Sequence, residues 1–182
     1  MTPRRYRLAV AFLVGLVSAS APGAAQQASV EVNARVCFTP GADCTGLIVR
    51  EIAKAQREIL VLAYEFTSAP IASALRDAKR QGKDVRIILD KSQRTEKFSS
   101  ADFFVDAGIP TAIDQVPRIA HNKVMILDRA IVIGGSFNYT TAAQKSNAEN
   151  VTILEGPALA AQFVRYWASR AAVSVPYHGR AR

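Results

Sequence analysis

Histidine is scarce in this chain. There are two among 182 residues, His121 and His178. Cysteine is as scarce, with Cys37 and Cys44 the only two. No cluster of Asp, Glu and His stands at ligand spacing, so neither a metal nor an organic cofactor is expected. The six residues between the cysteines fit neither a C-x-x-C redox pair nor a usual zinc knuckle. No internal repeat and no low-complexity linker divides the sequence, which leaves a single domain as the expectation at this length. A hydrophobic fraction of 49% with 21% charged residues excludes disordered, collagenous and coiled-coil classes and is enough for a core.

Long apolar runs are also missing. The longest, Leu8 to Val17, is broken by Gly15 and falls well short of the ~20 residues of a spanning helix. It follows Arg4, Arg5 and Arg7 and is followed by small residues up to Ala25. That order is the basic, apolar and cleavage zone of a secretory signal peptide. Cleavage after Ala21 would leave Pro22 next, so the cut is expected after Ala25, giving a leader over 1–25 and one domain over 26–182. The product would be periplasmic or secreted, with no stable membrane insertion. Loss of the leader removes three arginines and no acid, leaving 20 basic against 15 acidic residues, a net charge of +5. Such a balance suits an anionic partner, either nucleic acid or acidic lipid. Export permits a disulfide, and Pro40, Gly41 and Asp43 let the chain fold back, so a structural Cys37–Cys44 bond is expected.

Residues 30–36 alternate apolar and polar side chains, as a strand does. Residues 43–57 carry helical spacing in Ile48, Ile52 and Ala55, with Asp43 or Thr45 as cap. The run Ile59–Tyr64 has the composition of a strand buried on both faces. Ser68 and Pro70 open a helix that stops at Gly82, followed by a strand over 85–89 ending at Asp90. A helix over 95–107 stops at Gly108, before a short strand over 109–113. Strands over 124–127 and 130–133 turn at Asp128-Arg129, a further strand spans 150–154, and a helix over 157–171 buries Leu159, Phe163 and Trp167. The tail from Pro176 to Arg182 is expected to be loose. Alternating strands and helices predict an α/β domain whose mixed sheet is flanked by helices on both faces.

The chemistry lies in His121-Asn-Lys123-Val-Met-Ile-Leu-Asp128, followed six residues later by Gly135-Ser136-Phe137-Asn138. On a strand, His121 and Lys123 share a face, and Ser136 with Asn138 repeat that geometry on the next strand. An imidazole can attack phosphorus, while an ammonium and an amide can donate to the non-bridging oxygens where charge grows. Isolated, H-x-K would be an ordinary solvated strand face. The whole spacing, H-x-K-x4-D with x6-G-S-x-N, matches the signature of the phospholipase D superfamily. Ala63-Tyr-Glu-Phe-Thr67, Val85-Arg-Ile-Ile-Leu-Asp90 and Ser146-Asn-Ala-Glu-Asn150 extend the likeness to the small exported bacterial endonucleases with a single motif. Glu65 departs from that pattern, where a small or neutral residue is expected, and the cysteine pair is not general to the family.

The resemblance implies His121 as the nucleophile that becomes a phosphohistidine, and Lys123 and Asn138 as phosphate donors. Ser136 would support the same pocket, and Glu149 would accept a hydrogen bond from the nucleophile's Nδ1. Asp128, facing away on strand parity, reads as structural. Tyr64, Phe66 and Phe137 are candidates for stacking on bases or for the core. The family's reaction uses two histidines from two motifs, but His178 has no motif around it. The resemblance therefore implies a homodimer with one shared active site. The substrate expected is nucleic acid cut without sequence preference, with phospholipid as the alternative. A catalytically silent nucleic-acid-binding module is the reading from another class.

Overall fold

The computed structural model describes residues 31–180; the expected leader lies outside the described residues. The strands are β1 (Asn33–Thr39), β2 (Glu58–Ala63), β3 (Asp84–Asp90), β4 (Thr111–Asp114), β5 (Lys123–Leu127), β6 (Ile131–Gly135), β7 (Glu149–Glu155) and β8 (Val175–Pro176). The α-helices are α1 (Cys44–Lys54), α2 (Ala69–Arg80), α3 (Ala101–Asp106), α4 (Thr141–Lys145) and α5 (Pro157–Ala171). All eight strands form one sheet in the order β1-β7-β6-β5-β2-β3-β4-β8. β2, β3 and β4 run parallel, whereas β5, β6, β7 and β1 follow one another antiparallel from the β2 edge.

The apolar run of β2 is buried on both faces as its composition predicts. Ile59, Val61 and Ala63 point into a core with Ile48 and Ile52 of α1, Ile71 and Leu75 of α2, Phe104 of α3 and Ala143 of α4. Leu60 and Leu62 point the other way, against Ala160 and Trp167 of α5. Trp167 is anchored there by its indole N–H, which donates to the carbonyl of Val61 at 3.1 Å. One face thus carries four helices and the other carries α5 alone. Since Cys37 and Thr39 are buried on the four-helix side, Val36 and Phe38 of β1 point to the opposite side, and both are exposed.

Asp43 caps α1 through the N–H of Gly46, and Cys37 and Cys44 form the expected disulfide between β1 and α1. Asp128 and Arg129 are the central residues of the β5–β6 turn, with φ of 51° and 56°, the left-handed pair a type I′ turn demands, closed by the Ala130 N–H on the carbonyl of Leu127. The Asp128 carboxylate accepts the backbone N–H groups of Gln56, Arg57 and Glu58 at 2.7–2.9 Å. Burial pushes its pKa up, but these donors outweigh that and hold it below the ordinary value. The stability it contributes is therefore complete above the unfolded-state pKa near 3.9 and is lost as pH falls through the lower folded value. Asp128→Ala is expected to lower stability by about 1–2 kcal/mol at pH 7, with the difference from wild type narrowing in acid to the pH-independent cost of Ala in the left-handed turn. Urea melts at pH 7 and in acid check this.

Two expectations are corrected. The helix expected over 95–107 is confined to α3; residues 95–100 are irregular and follow a 3₁₀ turn, Lys91–Arg94. Ser99 and Ser100 break the predicted helix: Ser99 Oγ accepts the N–H of Ala101, and the Ser100 N–H is drawn to the carbonyl of Phe66. The tail is not loose as far as Arg180. β8 pairs with β4, Tyr177 is buried and its hydroxyl donates to Asp102 at 2.7 Å, and Arg180 is held by Asp102 and the carbonyls of Arg94 and Glu96. These partners lie about 70 to 90 positions away in sequence, beyond the reach of a local reading.

Candidate active site

Antiparallel pairing brings the relevant segments to one end of the sheet. β2 ends where β5 begins, with Ala63 opposite Lys123. β6 ends beside the start of β5, and β7 begins beside the end of β6. Tyr64 and Glu65, Lys123, Ser136 to Asn138, and Glu149 therefore all emerge at the same end.

His121 precedes β5 and is exposed, but its segment is held from several sides. The carboxylate of Asp90, buried at the end of β3, accepts the N–H of Ala120 at 2.6 Å and that of Ser92 at 2.9 Å. Burial raises the Asp90 pKa, and the two backbone donors more than reverse this, so it stays ionised. The N–H of Tyr64 donates to the carbonyl of Asn122 at 2.8 Å. The Tyr64 ring lies 4.6 Å from the His121 ring, centroid to centroid, and 5.1 Å from the Lys123 ammonium. Tyr64 thus packs on the two motif residues. Phe66 and Phe137 are core residues, 0% and 2% exposed.

Lys123 is buried, and its Nζ lies 3.0 Å from His121 Nε2. An ammonium can only donate, so Nε2 must be the acceptor nitrogen and the neutral imidazole carries its proton on Nδ1. Nε2 keeps the lone pair a nucleophile needs. Burial lowers the Lys123 pKa, opposed by the carboxylates of Glu65 and Glu149, and the net direction is down from 10.5. Activity that depends on a charged Lys123 is expected to fall on the alkaline side below pH 10.5, and Lys123→Arg should move that fall upward. A pH–kcat/KM profile of both proteins checks this.

Two polar arms flank the ammonium. On one side Ser136 Oγ donates to Glu149 and accepts the Asn150 N–H at 3.0 Å; Asn147 Nδ2 donates to Glu149 at 3.0 Å. On the other side Asn138 Nδ2 donates to Glu65 Oε2 at 3.1 Å. The structure thus gathers His121, Lys123, Ser136, Asn138 and Glu149 at one end of the sheet, although only Lys123 and Glu149 lie within strands. Asp128 sits at the opposite end of β5, at the hairpin. Among the described residues of one chain, Glu149 makes no hydrogen bond to His121, and its carboxylate is taken by Ser136 and Asn147. Sequence reasoning missed the roles of Asp90 and Tyr64. Both lie in the segments that carry the resemblance, but their contacts join distant parts of the chain.

An imidazole with a free ring nitrogen, a buried ammonium and amide and hydroxyl groups gathered at one open sheet end are side chains suited to phosphodiester chemistry. A family model described as cardiolipin synthase, PLD-like domain, matches residues 48–170. A protein named phospholipase D from Rickettsia prowazekii (strain Madrid E) is 45% identical over 146 residues, covering 80% of this chain and 71% of the relative. A mitochondrial cardiolipin hydrolase of Chlamydomonas reinhardtii is 34% identical over 112 residues, covering 62% of this chain and 50% of the relative. The crystal structure of the phospholipase D family member Nuc from Salmonella typhimurium superposes with a TM-score of 0.78 at 34% identity, covering 82% of this chain and all of that one. The chain belongs to the phospholipase D superfamily and is a hydrolase of phosphodiester bonds.

Proposed function

We propose that the protein is an exported, metal-independent endonuclease of low sequence specificity, acting as a homodimer through a phosphohistidine on His121. The observation that carries the chemistry is Lys123 Nζ against His121 Nε2, which leaves that nitrogen unprotonated beside a phosphate-binding cation. Entering phosphate oxygens would draw the ammonium away from Nε2 and accept from Lys123 and Asn138. Nε2 then attacks phosphorus, the P–N bond forms, and the P–O bond to the leaving group breaks. That oxygen needs a proton, which a second imidazole supplies. The same imidazole then takes a proton from water, whose oxygen displaces His121 from phosphorus.

One chain does not hold that second imidazole. His178 follows β8, and β2, β3 and β4 separate that edge strand from β5. A second copy can supply it. The exposed Val36 and Phe38 lie on the sheet face that α5 leaves open, toward the β7 edge of the site, and a two-fold partner would cover such apolar area. In that arrangement the Nδ1–H of His121 can donate to the partner subunit's Glu149. The Cys37–Cys44 bond fits an oxidising compartment and supports export. Among the described residues no helix is long and apolar enough to cross a membrane.

Nucleic acid is favoured by the net positive charge, the open site and the likeness to the small exported endonucleases. The names of the relatives favour the second reading, a phospholipase D acting on glycerophospholipids. One assay separates them: plasmid DNA, single-stranded DNA, RNA or phosphatidylcholine vesicles, each with EDTA. Cleavage of nucleic acid with EDTA present is the expected result. Release of phosphatidic acid alone would assign the lipid reading, and loss of all activity in EDTA would reject the metal-free mechanism. Sedimentation of the active species as a monomer would reject the shared site.

A further inference from the structure

We infer that Glu65 is a positioning residue that fixes which end of the Asn138 amide faces the reacting phosphate, an inference that rests on the role proposed above for Asn138. The placement follows from the backbone. Phe66 and Tyr139 form an isolated parallel bridge, and the N–H groups of Thr67 and Ser68 both donate to the Tyr139 carbonyl. The segments after β2 and β6 therefore run side by side. Phe66 and Tyr139 are buried, with ring centroids 5.1 Å apart, so Glu65 and Asn138, one residue earlier on each segment, are brought together outside that core.

The chemistry is directional. An amide has a donor end and an acceptor end, and only the donor end can stabilise a phosphate oxygen. Asn138 Nδ2 donates one N–H to Glu65, and its Oδ1 is buried with no hydrogen-bond partner among the described residues. Nothing on the Oδ1 side fixes the amide, so the orientation depends on Glu65. An ionised carboxylate only accepts, and the flipped amide would set Oδ1 against it. With one N–H on Glu65, the second N–H of Nδ2 remains as donor to the phosphate.

The test is a double-mutant cycle on the full protein, with kcat and KM measured on whichever phosphodiester it cleaves and thermal melts confirming folding. Glu65→Gln retains an acceptor for Nδ2 and is expected to keep kcat within about threefold of wild type. Glu65→Ala should lower kcat about tenfold with KM changed less, a fraction of the roughly 10²-fold that loss of a whole donor costs. Adding Glu65→Ala to Asn138→Ala should change kcat no further. Equal effects of Glu65→Gln and Glu65→Ala, or multiplied effects in the double variant, would overturn the positioning role while leaving Asn138 as a donor. Wild-type kcat in Asn138→Ala would instead remove the donor itself, and the inference with it. If Glu65→Ala fails to fold, Glu65→Ser takes its place in the cycle with the same expected and contrary outcomes.

Discussion

His121→Ala is expected to lower kcat by about 10⁴-fold or more, because it removes the nucleophile and, in a shared site, the acid as well. Substrate binding at fixed salt should change little, since Lys123 and Asn138 remain to face the phosphate. A nucleic-acid-binding module would show neither turnover nor any effect of the substitution. The variant also tests the dimer. Wild type and His121→Ala, denatured together in equal amounts and refolded, should give mixed dimers with one imidazole per site. Total activity should then fall to about half that of wild type refolded with buffer, because half of the wild-type chains end in mixed dimers. Full additive activity would mean that each chain works alone.

Gly135→Ala should also damage activity, but through the fold of the site. Gly135 ends β6 with φ of 132°, a backbone conformation that side-chain-bearing residues rarely adopt. A methyl group there would lie 2.3 Å from the carbonyl oxygen of Asn150 and 2.7 Å from its side-chain oxygen. That carbonyl accepts the N–H groups of Ser136 and Phe137, so it cannot retreat without loosening the segment that carries Ser136 and Asn138. The expected result is a loss of about 3 kcal/mol in stability, a lower melting temperature and a kcat reduced at least 10²-fold in whatever protein folds. Ala at Gly82, where nothing approaches within 4 Å but φ is 85°, is the control: strain without obstruction, remote from the site, with kcat near wild type.

Much of this was legible in the sequence for physical reasons. The double-sided apolar run of β2 and the amphipathic α2 and α5 fix a layered α/β domain, since such surfaces must be covered. The motif is compact because β5 and β6 form a hairpin, so local spacing reports spatial proximity around His121 and Lys123. Asp128 was readable as structural from strand parity and its place at the turn with Arg129. What escaped the sequence depends on long-range meetings. Docking of Tyr177 and Arg180 on Asp102 spans most of the chain's second half. The packing of Tyr64 on His121 needs β2 and β5 to be neighbours, which no local period announces. Glu65 stood out only as a departure from a pattern; its contact with Asn138 requires the bridge between Phe66 and Tyr139. The helix expected over 95–107 failed because two serines compete with the helix for backbone groups.

A phosphohistidine mechanism requires a covalent bond between His121 Nε2 and phosphorus. Single-turnover mixing with a phosphodiester substrate carrying ³²P, stopped under alkaline denaturing conditions that preserve phosphohistidine, tests it directly. Label is expected on the protein within the first turnover, lost on acid treatment, mapped to His121 and missing from His121→Ala. Turnover with no protein-bound label at any time, or label on a residue other than His121, would contradict it.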